Sequence, residues 1–124
     1  KIKIELGKLP IFKLIHSNKL TIFDYDSTGF LECLSQNIPT LMYISEKELN
    51  YLKDDVLNDY DQLIKLKIIH TNSNQLSKHV DSTWDNLDQW WYSDHIQNQI
   101  NIFKNKYFET VNSPISLLSK ILEY

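Results

Sequence analysis

Asp26, Ser27, Thr28, Gly29 and Glu32 carry the residue types from which an anion site is built. A hydroxyl at a helix start can cap the helix or donate to a phosphate oxygen. The first backbone N–H groups and the positive end of the helix dipole converge at the same point. Gly29, one of only two glycines, would let a ligand approach the backbone closely. Glu32 lies one turn after Thr28 on the same helical face, where a carboxylate can accept two hydrogen bonds from a ribose diol. The same residues also make an ordinary capped helix with a solvated glutamate, and residue types alone leave both readings open.

The elements that must hold these residues follow from periodicity. Leu20–Tyr25 is β-rich and reads as a buried strand, Thr28–Ser35 as a short helix, and Thr40–Ile44 as the next strand after Gln36-Asn37 and Pro39. Upstream, Lys1–Glu5 alternates Lys and Ile like a short strand. Ile11, Leu14 and Ile15 fit one face of a helix with Pro10 at its first position. Downstream, Ser45 and Glu48 form a capping box before a stripe of Leu49, Leu52, Val56, Tyr60 and Leu63. Its charged outer face reads as a solvated surface. Lys67–His70 reads as one more strand. Asn72 or Ser73 caps a helix striped by Leu76, Val80, Trp84 and Leu87. Ser93 caps a helix bearing Ile96, Ile100, Phe103 and Tyr107, and Ser113-Pro114 starts a last one. Strands alternating with helices predict a parallel sheet, so the fold class is α/β with three or four short strands and a helical C-terminal tail. So few strands under so many helices suggest that part of a larger sheet is missing or comes from another chain.

Composition excludes several functions. With 13 basic and 16 acidic residues the net charge is −3, which argues against nucleic-acid binding. Every basic residue is lysine, so no bidentate arginine clamp exists. The single cysteine, Cys33, falls on an apolar face and reads as a buried inert thiol. His16, His70, His79 and His95 have no metal-site spacing and read as surface or half-buried residues. Of these His70 follows a strand and could face a ligand edge. No glycine-rich phosphate loop is possible with Gly7 and Gly29 alone. Trp84, Trp90, Trp91 and Tyr92 could stack sugars or pack as a core hinge; the consecutive Trp-Trp-Tyr cannot all face inward, so at least one ring is expected at an interface. No apolar run approaches a transmembrane span, and no signal peptide is visible. A cytoplasmic setting is expected, with a peripheral place at the inner face of the membrane as an option.

Leu31-Glu32-Cys33-Leu34-Ser35-Gln36-Asn37-Ile38-Pro39-Thr40-Leu41 resembles the Leu-Glu-Ala-Met-Ala-x-Gly-x-Pro-Val-Ile segment of GT-B fold glycosyltransferases. Asp24-Tyr25-Asp26-Ser27-Thr28 is similar to the Asp-Tyr-x-Ser-Ser/Thr turn of bacterial surface-polysaccharide and glycerophosphate-polymer transferases. Lys67–Asn72 and the Trp-rich tail from Trp84 to Phe108 fit the same group, so the likeness covers roughly residues 9 to 110.

The resemblance implies a partial Rossmann-like three-layer domain, 1–124, with an α/β part over 1–83 and a helical tail over 84–124. It would be the C-terminal, donor-binding part of a larger two-domain enzyme, consistent with a chain that begins at Lys1. Asp26, Ser27, Thr28 and Gly29 would meet the diphosphate of a nucleotide-sugar, Glu32 its ribose, and Asp24 the transferred sugar. The nucleotide-sugar is a substrate, and no separate cofactor or metal is called for. Asn37 stands where the family has Gly, a turn that Asn tolerates. The family's cationic pair for the diphosphate has no match, and neither has its N-terminal acceptor domain with the catalytic base. The resemblance therefore implies a half-site that binds donor weakly and turns nothing over alone, its partner being the missing domain or a second copy. A reading of another class is a small non-catalytic α/β module that associates through strand edges or the Trp-rich helices. Burial of Ser27, Thr28 and Glu32 discriminates between the two.

Overall fold

A computed structural model describes residues 4–108 and Ile121. Three strands, β1 (Thr21–Phe23), β2 (Thr40–Tyr43) and β3 (Ile69–His70), form one parallel sheet in the order β1-β2-β3. Thr21 pairs with Thr40, and Met42 with Ile69. The central strand is covered on both faces: Thr40, Leu41 and Met42 are all buried, as a parallel strand between helix layers requires. β1 is an edge strand, with Phe23 inward and Ile22 46% exposed.

The crossovers end alike. Helix α2 (Thr28–Ser35) closes with the N–H of Ile38 on the Cys33 carbonyl and that of Asn37 on Leu34. Helix α4 (Asp54–Lys65) closes with Ile68 on Leu63 and Lys67 on Ile64. Both are Schellman turns, which need a left-handed residue after the helix. Asn37 (φ 55°) and Lys67 (φ 68°) supply it.

The predicted helix behind Ser45 is two helices. The Ser45–Glu48 capping box starts a single turn, α3 (Glu46–Leu49). The chain unwinds through Leu52 and restarts at Lys53, with Asp54 and Asp55 in the first turn of α4. These acids complement the helix dipole and mark a second start. Val56, Tyr60 and Leu63 then face inward.

Helix α5 (Ser73–Thr83), capped by Asn72, also departs from its stripe. Its buried residue is His79, while Leu76 and Val80 are half-buried. The Ser82 and Thr83 hydroxyls both donate to the His79 carbonyl, and the helix gives way to a 3-10 turn at Trp84–Asn86. Trp84 thereby turns outward beneath Lys19 Nζ, 4.4 Å from the ring centre, while Leu87 is buried in α6 (Leu87–Trp91). Ser93 stands at the N-cap of α7 (Asp94–Tyr107), but its hydroxyl donates back to the Trp90 carbonyl.

One core cluster joins the sheet helices to the tail. Phe30, Leu31 and Leu34 of α2 and Tyr60 and Leu63 of α4 belong to it with Trp91, Ile96, Ile100 and Phe103. Asn37 adds a polar lock: its side-chain oxygen accepts from Trp91 Nε1 (3.0 Å) and Gln97 Nε2 (3.1 Å), and its amide donates to Gln97 Oε1 (2.7 Å). Asp59 of α4 accepts from Lys106 Nζ (2.7 Å) and from the Tyr107 hydroxyl of α7. Of the four aromatic rings at the corner, Trp91 is buried, Trp90 half-buried, and Trp84 and Tyr92 exposed.

Other expectations are corrected. Pro10 is the N-cap of α1 (Ile11–Ser17), one residue before the first helical position. Ile4 and Glu5 are not in a strand; Glu5 instead accepts from the Gly7 and Lys8 N–H groups, and residues 1–3 lie outside the described residues. The helix from Ser113 also lies outside them, Ile121 apart, which is fully buried. Among the described residues no helix is long and apolar enough to cross a membrane.

Candidate functional site

β1 ends at Phe23 and leads through exposed Asp24 and Tyr25 to Asp26. Asp26 is held by the Tyr60 hydroxyl, which donates to Oδ1 at 2.9 Å. Its other oxygen, Oδ2, is buried and has no partner among the described residues. Burial pushes the carboxyl up to about 6; the Tyr60 bond opposes this and the Glu48 charge adds to it. Tyr60, fully buried, is driven well above its ordinary value by desolvation first and by Asp26 second.

Ser27 and Thr28 follow at the start of α2. Ser27 is the N-cap: buried, with Oγ accepting from the Phe30 N–H at 3.3 Å. Its oxygen therefore serves the helix, leaving the O–H to donate elsewhere. Thr28, in the first turn, is half-buried. Gly29 is required by packing, since a Cβ there would stand 2.7 Å from Phe23 Cε1. The close approach expected at this glycine is thus made by the chain's own aromatic ring. Glu32 is half-buried and lines a small cavity with Phe12, Ile15 and His16 of α1 and Gln36 of its own helix end. Asp26, Ser27 and Thr28 are contiguous at the sheet's carboxyl edge, whereas Glu32 faces the α1–α2 seam. Cys33 is buried, and desolvation pushes its thiol up to about 11, which keeps it protonated.

A second constellation lies along the outer edge of β3. A cleft of about 520 Å³ is lined by Lys65 and Lys67 from the end of α4, His70 from β3 and Thr71 just after it, and Gln75, Lys78 and His79 from α5. Both imidazoles are buried, contrary to the surface or half-buried place expected of them. His70 Nε2 lies 2.6 Å from the Lys67 carbonyl, and the two imidazole rings are 5.3 Å apart. Desolvation and the neighbouring His70 and Lys67 push His79 down to about 4. His70 is lowered too, mainly by burial.

The sequence held a signal for this second place. Residues 62–80 contain three lysines and two histidines and no acid, while 20–45 contain three acids and no lysine. Charge segregation along the chain therefore marks two electrostatically opposite strand ends.

Sheet, crossovers and capped α2 define an α/β protein of the parallel type, with a polar turn at the carboxyl end of its first strand. A family model described as "LIC12162 family transferase" matches residues 1–122, and the chain belongs to this family of transferases. No curated protein and no solved structure matches it.

Proposed function

We propose that the chain supplies the nucleotide-sugar-binding part of a glycosyltransferase-like enzyme of cell-surface carbohydrate synthesis. The observation that carries this reading is the β1–α2 turn of a chain from a transferase family. There a parallel strand delivers Asp26 and a capped helix N-terminus to the sheet's carboxyl edge, the usual ligand edge of an open α/β sheet. The N–H groups of the first turn and the Thr28 hydroxyl would meet the diphosphate, with the Ser27 O–H as a further donor. The helix dipole would stabilise the charge that grows on the leaving diphosphate. Asp26 Oδ2, buried without a partner, would accept from a hydroxyl of the donor. Glu32 is assigned to the ribose and Asp24 to the sugar by resemblance, and Gly29 to packing the turn. Full turnover needs a second domain closing on the cleft.

Calorimetric titration with UDP, CDP and GDP tests the reading. One of the three should bind, and Thr28→Val should weaken it about tenfold, the worth of one hydrogen bond to a charged group. Equal affinity in the variant, or no binding by a folded chain whose missing domain has been restored, would contradict it.

A second reading, a non-catalytic association module, is favoured by one observation. The open edge of β1 carries a cleft of about 440 Å³ lined by Ile11, Leu14, Leu20 and Ile22, beside exposed Phe12 and Tyr25. Sedimentation of the chain across a concentration series, with and without nucleotide, separates the readings: a stable dimer that binds none of the three nucleotides favours the module.

A further inference from the structure

The cleft beside β3 is not absorbed by the donor reading. The Ile68 and His70 carbonyls accept from Met42 and Ile44 of the neighbouring strand. The peptide groups of the intervening Ile69 face the edge that no other strand among the described residues covers, and Ile69 lines the cleft. Around it stand Lys65, Lys67 and Lys78 with the amide of Gln75, and among the described residues no carboxylate lines the cleft. Lys67 occupies a left-handed conformation where glycine is customary, so the lysine is kept at some conformational cost. His79, 6% exposed, has Nε2 buried and unpartnered among the described residues, with the Trp90 ring 4.6 Å away on its edge. Three cations, an unpaired imidazole nitrogen and an open strand edge together lack one thing, an anion with several acceptor oxygens. The volume lies within the roughly 300–1,000 Å³ range of small-ligand sites.

We propose that this cleft binds the phosphoryl group of a soluble phosphate ester or diphosphate, at a place distinct from the Asp26–Glu32 turn. Lys65, Lys67 and Lys78 supply the charge, Gln75 and the Ile69 N–H the directed hydrogen bonds, and His79 a further donor at the inner wall. The proposal does not rest on the donor reading.

The probe is inorganic pyrophosphate, added at constant ionic strength while amide and imidazole C–H resonances are followed by NMR. Saturable shifts are expected at Ile69, Thr71, Gln75, His70 and His79. Lys78→Gln, on the exposed face of α5, should keep the fold and weaken binding about tenfold. Lys13→Gln, exposed on α1, should leave it unchanged. The inference is overturned by shifts that follow ionic strength alone, by equal affinity in the two variants, or by shifts centred on Ser27 to Glu32. The last outcome would sustain the donor reading while removing this one.

Discussion

The β1–α2 turn and the β3–α5 cleft are built on neighbouring parts of one parallel sheet, yet their electrostatics are opposite. The first gathers Asp24 and Asp26 with Glu48 near by, and its orphaned buried atom is a carboxylate oxygen. The second gathers three lysines and two imidazoles, and its orphan is a ring nitrogen. Among the described residues these are the two buried side-chain atoms without partners, one in each region. Topology makes a strand's carboxyl end a place to bind, and charge decides what binds there. On the proposed reading, the helix N-terminus at Ser27 would attract phosphate through its dipole, N–H groups and hydroxyls, without a cation. The β3 cleft has cations, beside the start of α5, where Thr71 and Gln75 flank the Asn72 cap.

The two left-handed turns differ most in what their side chains hold. Asn37→Gly keeps the backbone conformation but removes the partners of Trp91 Nε1 and Gln97. We predict a loss of about 3 kcal/mol, since the buried indole donor is left unpaired. Urea midpoints check it, and an unchanged midpoint would show that the Asn37 lock does not hold the tail.

Gly29→Ala comes next. The added Cβ must displace the Phe23 ring, at an expected cost of about 2 kcal/mol. Combined with Phe23→Leu, the loss should fall short of the sum of the single losses. If Gly29 instead serves only a ligand, stability will hold and nucleotide affinity will fall.

The third contrast is in pH. Asp26 titrates near 6 in the fold, above its ordinary 3.8, so the folded state holds a proton that the unfolded chain has released. Stability from this group falls as pH rises from about 4 to 6, and the deficit persists above. His79 titrates near 4, below its ordinary 6.5, so its contribution is full above 6.5 and is lost as pH falls toward 4. The two regions oppose each other within that window. Asp26→Asn should gain about 1.5 kcal/mol at pH 7 and nothing at pH 3.5, allowing for partial exposure. It should also unmask the His79 slope. Unfolding curves between pH 3.5 and 7 measure both, and an unaltered profile would remove Asp26 as a buried titrating group.

The smallest effect has the opposite sign to the first. Lys67→Gly relieves a left-handed lysine and should stabilise by about 1 kcal/mol, while weakening any anion in the cleft. Thus the same change, to glycine, is predicted to harm one helix end and help the other.

These contrasts also show what the sequence could convey. Helix α2 was legible to the residue, because the Ser27 cap, the apolar face and Asn37 all act within one turn. The Asn37 turn was legible as a left-handed position, but its lock on Gln97, 60 residues away, was not. The break after Leu49 was obscured because Leu52 kept the helical period across an unwound loop. Asp54 and Asp55, read as a solvated face, were the start signal that marked it. At the candidate site, the contiguous Asp26-Ser27-Thr28 turn was readable. Tyr60 as the partner of Asp26 was not, since it lies 34 residues on and reads as one more core aromatic. His70 and His79 meet only because β3 and α5 pack together, and no spacing rule for metals or triads covers that pair.

Nucleotide binding at the β1–α2 turn is tested by an amide NMR titration of the chain with UDP, CDP and GDP to millimolar concentration. Saturable shifts at Ser27, Thr28 and Gly29, with Glu32, are expected for one nucleotide. Saturable shifts confined to residues 65–82, with Ser27 to Glu32 unmoved, would contradict it and move the diphosphate to the lysine-lined cleft.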